Sequence, residues 1–239
     1  MKPMHDAPAD DSDALAADDA GVVTPAPDDP TFLPPRRSRW HNIAVIGGHD
    51  EDDFDLALGY AEAADILASH WIRIGANDAL PVPIYYNYRH AIELALKGCI
   101  RVAANCLRRD GVTVSHEELD KFLSTSHAVE HLADRLNQYL GRLQLEAPND
   151  RIDATTQETL DWLHQMDDKG QTFRYSRVKG GKGKGLVRAR PHQRNIDFDA
   201  HIRRLSAAAW MLYGGCGGLL DAYAENQAEY EAEMRSAGW

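Results

Sequence analysis

Cysteine is scarce in this sequence, three residues in 239. The count is odd, and Cys99 and Cys106 lie seven residues apart in one helical pattern, pointing along it, which excludes a disulfide scaffold and fits a reducing cytosol. Long apolar runs are missing as well. The longest uncharged stretch, Leu205 to Leu220, is 16 residues with four glycines, whereas a membrane-spanning helix needs about 20 mostly apolar residues. The residues after Met1 are acidic and carry no apolar core, which argues against a secretory signal. A soluble, cytoplasmic protein is the expectation. Nothing repeats at the periods of solenoid arrays.

What the sequence does have is charge, 37 acidic against 26 basic side chains for a net −11. Taken whole, that sign argues against a nucleic-acid binder. Its distribution argues otherwise. Residues 1–30 hold eight aspartates against Lys2 alone, a balance of −7, while residues 169–204 hold eleven Lys and Arg against Asp197 and Asp199, a balance of +9. The intervening residues 31–168 sum to −9 and the final 205–239 to −4. The first segment is rich in Ala, Asp and Pro without apolar periodicity, so residues 1–40 read as a disordered acidic tail. Residues 41–239 then form one folded domain with a basic loop at 171–197. The opposed balances offer the tail two roles, a solubilising extension or a mask folded back on the basic segment.

Helical periodicity accounts for most of the domain. Leu56, Leu58, Ala61, Ala64, Ile66, Leu67, Trp71 and Ile74 predict a helix from Phe54 to about Asn77, behind an acidic first turn at Asp52, Asp53 and Asp55. After Pro81 and Pro83, a central helix from about Ile84 to Arg108 carries Tyr88, Ile92, Ala95, Leu96, Cys99, Val102, Ala103 and Cys106 inward and stops at Asp110-Gly111. A short helix at His116 to Leu123 precedes one that Ser126 would cap, reaching about Leu143. Thr155 or Thr156 would cap the next, ending at Met166. Two β-prone runs, Phe173–Val178 and Leu186–Arg190, flank a Lys-Gly tip and predict a small hairpin or extended loop. From about Phe198 to Ser236 the pattern is helical again, in one or two pieces, because Gly214, Gly215, Gly217 and Gly218 each cost about 1 kcal/mol against alanine. The fold class is therefore all-α, an antiparallel bundle of five to six helices with a basic hairpin or loop inserted before the last helix.

Three short motifs invite chemical readings. Ile43-Ala-Val-Ile-Gly-Gly48 resembles a dinucleotide turn but lacks the third glycine, and Asp50 to Asp53 would repel a pyrophosphate. The Lys-Gly tip lacks the Ser or Thr of a phosphate loop. His127-Ala-Val-Glu130-His131 matches H-x-x-E-H, in which two histidines on one helix face hold zinc and the glutamate activates water. A zinc-dependent hydrolase is thus one alternative, with His127, Glu130 and His131 as its metal site.

The most distinctive stretch is Tyr85-Tyr-Asn-Tyr-Arg-His-Ala-Ile-Glu-Leu-Ala-Leu-Lys97, where Arg89 and Glu93 can pair along a helix and His90 and Lys97 flank its apolar face. Taken with the helix carrying His127 and Leu132 and with Phe173-Arg-Tyr175 before the last helix, this order resembles bacterial HEPN-like proteins over about residues 50–220. The resemblance implies a helical bundle that commonly dimerises. It also implies a metal-independent endoribonuclease, without cofactor, of a toxin–antitoxin or phage-defence system, with RNA as substrate and an antitoxin or neighbouring defence protein as partner. It implies an Arg–polar pair followed by His, met by Arg194-Asn195 with His201. Arg109-Asp110 with His116 also meets the rule but straddles Gly111. His201 would then be general acid or base, Arg194 would stabilise phosphorane charge and Asn195 would orient one of them. Arg89, His90 and Glu93 would join the site or form a buried network that fixes packing. Arg174, Arg177, Lys179, Lys182, Lys184, Arg188 and Arg190 would hold the RNA backbone. A non-catalytic helical scaffold with a degenerate site is the remaining alternative.

Overall fold

The computed structural model describes residues 51–75 and 77–238. The expected acidic tail at 1–40, residues 41–50 of the domain and the Ile43–Gly48 turn lie outside the described residues. Helix α1 spans Asp53–Ile74 and α2 spans Pro81–Arg109. A capping box starts α1: Asp52 accepts from the amides of Phe54 and Asp55 at 2.8 and 2.9 Å, and the Asp55 side chain accepts from the Asp52 amide at 3.3 Å. The buried stripe of α1 is Ala57, Ala61, Ala64 and Ala68, whereas Leu56, Ile74 and, at 69% exposed, Ile66 face outward. Of the expected ladder, Ala61 and Ala64 are buried and Leu67 and Trp71 pack against the core, so the correction falls on Leu56, Ile66 and Ile74. Small side chains let α1 and α2 approach closely, and α2 answers with Gly98, where an added Cβ would lie 2.9 Å from the Phe54 ring. Arg101 reaches Asp53 at 2.6 Å and Tyr88 donates to Asp65 at 2.6 Å, so the two helices run antiparallel.

Helix α2 is the axis of the fold. From Ala91 to Ile100 every residue is buried, and each fully buried Leu or Ile there is worth about 1.5–3 kcal/mol. Helices α3 (His116–Thr125), α4 (Val129–Leu140) and α5 (Ala154–Met166) follow. Ser126 ends α3 instead of capping α4, and α4 starts after Ala128, because residues 126–128 are drawn into extended backbone beside α2. The cap of α5 is Asp153, whose carboxylate accepts from Thr156 N at 3.0 Å. Asn137 and the Glu130–His164 pair at 2.9 Å tie α4 to α5 and its approach.

The expected hairpin forms from β1 (Arg177–Lys179) and β2 (Leu186–Arg188), with Arg177 opposite Arg188, Val178 opposite Val187 and Lys179 opposite Leu186. Its tip closes through Lys184 N to Gly181 O at 2.8 Å, with Gly183 at φ +82°. The last helical rod is α6 (Phe198–Trp210), a π-helical segment (Met211–Gly217) and α7 (Gly218–Ser236), without a break. It lies alongside α2 in the same direction: Tyr85 meets His201, Cys99 donates to Leu212 O, and Asp110 accepts from Tyr223. The fold is an all-α bundle with a two-stranded insert. Among the described residues no helix is long and apolar enough to cross a membrane.

Candidate functional site

Arg89 and Glu93, expected to join the site or form a buried network, are the centre of a buried charge cluster. Arg89 is 3% exposed and Glu93 4%, and Lys97 and Asp167 are buried beside them. Arg89 Nη1 contacts Glu93 Oε2 at 2.7 Å, Arg89 Nε contacts Asp167 Oδ2 at 3.1 Å, and Arg89 Nη2 donates to the His127 carbonyl. Lys97 Nζ and His127 Nδ1 both reach Glu93 Oε1, at 2.9 and 2.8 Å. Burial pushes the Glu93 carboxyl up, but hydrogen bonds from Lys97, His127 and Arg89, with the Lys97 charge, outweigh it and hold it down at about 2. Asp167 Oδ1 also accepts from the amides of Gln171 and Thr172 at 2.8 and 2.9 Å. Gly170 is required here twice over, by φ +70° and because an added Cβ would sit 2.8 Å from Arg89 Nη2. Two cations face two carboxylates out of water, so the cluster clamps α2, the approach to α4 and the turn after α5. Its members make bonds to one another, which suits positioning better than catalysis.

His90 stands apart from this cluster. Its ring stacks on Tyr86 (5.8 Å, 13°) and meets Tyr60 edge-on at 4.4 Å. Burial lowers its pKa; Glu93 opposes that, and Arg89, Arg174 and Lys97 reinforce it.

His201, in the first turn of α6, binds Tyr85 through Nδ1 at 3.0 Å and packs its ring 4.6 Å from Trp162. Phe173 stacks on Tyr85 at 5.2 Å and 18°, and Phe198 meets it edge-on. Burial lowers the His201 pKa below its usual 6.5, with Asp197 opposing and Arg204 assisting, which favours the neutral imidazole. Burial and the Asp197 charge raise Tyr85, which stays a phenol. Arg194 is exposed and donates to Met166 Sδ at 3.3 Å. Trp162 and Met166 are one turn apart on α5, about 6 Å, so Arg194 and His201 flank the same helix end. Among the described residues no hydrogen bond or ion pair joins them, and Asn195 is exposed without a partner. The other Arg–His match separates: Arg109 donates to Ala224 O at 3.1 Å, and His116 opens α3.

The hairpin carries the basic residues. Arg174, Arg177, Lys179, Lys182, Lys184, Arg188 and Arg190 are all exposed. Arg190 is bound to the carbonyls of Thr172 and Tyr175, and Arg174 lies over the Tyr175 ring. The other five have no partner among the described residues. Opposite residues of a ladder share a face, so Arg177, Arg188 and Lys179 project together. Like charges directly opposed are unfavourable in a free hairpin.

The zinc reading does not survive the geometry. His127 precedes α4 by two residues, so it does not share a helix face with His131; it binds Glu93, while Glu130 binds His164. Among the described residues no group of three or more His, Cys, Asp or Glu is arranged to hold a metal ion.

Sequence reasoning missed Tyr85, Trp162, Asp167 and Gly170. The Tyr85-x3-Arg89-x3-Glu93-x3-Lys97 spacing was the available signal, a polar ladder inside an otherwise apolar helix. Comparison of the chain with protein-family models, curated proteins and solved structures gives no match.

Proposed function

We propose that this protein binds RNA on the exposed face of its hairpin and cleaves it as a HEPN-like, metal-independent endoribonuclease. The observation that carries this reading is the set of five cations on β1, β2 and their tip that have no partner among the described residues, with Arg177 facing Arg188. A polyanion removes that repulsion and releases counterions in binding. The hairpin is rooted at residues 171–175, where Phe173 packs on Tyr85, the partner of His201. A bound strand is therefore held beside the one half-buried histidine of that aromatic cluster.

In the reaction, neutral His201 takes the proton of a ribose 2′-hydroxyl, and the freed oxygen attacks the adjacent phosphorus. Arg194 supplies positive charge to the phosphorane, and the 5′-oxygen leaves with a proton taken from solvent water, while His201 gives its own proton back to solvent, leaving a 2′,3′-cyclic phosphate and a 5′-hydroxyl. Tyr85 holds the imidazole in place. Action as a cytoplasmic homodimer of a toxin–antitoxin or phage-defence system, under control of an antitoxin or neighbouring protein, belongs to the same reading. A second reading, an RNA-binding scaffold without catalysis, is favoured by one observation: among the described residues no hydrogen bond or ion pair joins Arg194 to His201.

Incubation of the purified chain with total RNA in EDTA separates the two. Cleavage by wild type that is lost in His201→Ala and Arg194→Ala and kept in His90→Ala supports the enzyme. Binding without cleavage leaves the scaffold, and neither binding nor cleavage ends both. For the binding face, Arg177→Ala/Arg188→Ala should lower the slope of log affinity against log salt by about 1.4, at roughly 0.7 per phosphate contact on a single strand.

A further inference from the structure

The basic segment has a root anchored to the body and a tip held by its own turn. At the root, Asp167 binds the amides of Gln171 and Thr172, Tyr175 N donates to Gln171 O at 3.0 Å, and Phe173 is buried against Tyr85. Arg190 crosses from the far strand to the carbonyls of Thr172 and Tyr175. The tip between Gly180 and Gly185 has four glycines and two lysines and rests on its own turn bonds.

On the anchored root sits one aromatic ring that the fold does not use. Tyr175 is 47% exposed, and its hydroxyl has no partner among the described residues. The Arg174 guanidinium lies 5.5 Å from its ring centroid. Arg177 follows two residues later, about 7 Å along extended chain, and begins the cationic face. An exposed ring fixed on an anchored turn, with a cation over it and further cations alongside, combines the two elements that hold single strands, a charged track and a flat apolar surface for a base. A duplex keeps its base faces inside its own stack and offers that ring nothing.

We infer that Tyr175 is a stacking platform for an unpaired base, so that the hairpin selects single-stranded over double-stranded RNA. The inference rests on the RNA reading above and extends it to a strand preference and a residue. The ring supplies the preference, and Arg177, Lys179 and Arg188 supply affinity that both forms of RNA share.

The test uses the full chain with a 12-nucleotide unstructured RNA, alone or annealed to its complement, and with a 2-aminopurine reporter in the single strand. Anisotropy titrations compare wild type, Tyr175→Ala, Tyr175→Phe and Arg177→Ala/Arg188→Ala. Tyr175→Ala should weaken the single strand about fivefold or more, change duplex binding less than about twofold, leave the salt slope unaltered and abolish the 2-aminopurine quenching. Tyr175→Phe should behave as wild type. Equal losses for both RNAs, or an unchanged single-strand affinity in Tyr175→Ala, overturn the platform while the arginine variant still reports RNA binding. If wild type binds neither RNA, the RNA reading falls and the platform with it.

Discussion

Replacement of Glu93 by glutamine tests the buried charge cluster most directly. The side chain keeps its size but loses the charge that faces Arg89, Lys97 and His127. Asp167 alone then opposes two buried cations. The size of the loss follows from the carboxyl itself: held at about 2 instead of 4.5, it contributes roughly 3 kcal/mol at neutral pH, at 1.36 kcal/mol per pH unit. Removal of one partner from a buried ion pair costs about 3–5 kcal/mol, in agreement. Against a total of about 5–15 kcal/mol, the variant should lose a large fraction of its stability and about 6–12 °C in Tm for a domain of this size. The sign with pH is also set. A carboxyl with a depressed pKa stabilises above its unfolded value, and that contribution fades as pH falls from about 4.5 towards 2. Urea unfolding followed by circular dichroism at pH 7, 5, 4 and 3 should therefore show wild type and Glu93→Gln converging in acid. Adding Lys97→Met to Glu93→Gln should recover part of the loss by removing the orphaned cation. A difference below about 0.5 kcal/mol at pH 7, or one that does not shrink on acidification, refutes the reasoning.

Two further predictions concern Gly170, beside that cluster, and His201, outside it. Gly170→Ala forces a side chain into left-handed backbone, at a cost of about 1–2 kcal/mol, and pushes on Arg89; urea unfolding within about 0.5 kcal/mol of wild type would contradict both constraints. With His201 as the base and its pKa lowered from 6.5, the acid limb of RNA cleavage should be centred below pH 6.5. An acid limb centred at or above 6.5 in the pH–rate profile would assign the base elsewhere.

The helices and the hairpin were legible because they are local: periodicity, caps and glycine placement lie within a few residues of what they determine. The inner face of α1 was legible only in part: Ala61 and Ala64 were read inward, but so were Leu56, Ile66 and Ile74, which outrank alanine on any hydropathy scale, whereas the close approach of α2 at Gly98 favours Ala57 and Ala68. Ser126 looked like a cap because its side chain suits one. Tertiary pull on residues 126–128, which brings His127 to Glu93, moved the boundary. Arg89 and Glu93 were readable as a pair four residues apart with a buried network as one of their two expected roles, but Asp167, which completes that network from the turn after α5, was not. Charge on the hairpin was plain in the sequence; that five of its cations have no partner among the described residues is a property of the fold.

The π-helical segment has its own consequence for the last rod. Buried positions step through Ile202, Leu205, Ala209 and Leu212 at helical intervals, then jump five residues to Gly217 before resuming at Leu220. The rod thus stores one surplus residue in its phase without expelling it as a loop. Because of that slip Gly217, not Cys216, meets Phe54 at the α1 start, and α7 turns Tyr223 and Gln227 onto Asp110. Across Met211–Gly217, the length of the chain more than its chemistry decides which side of α7 faces the body and which faces solvent.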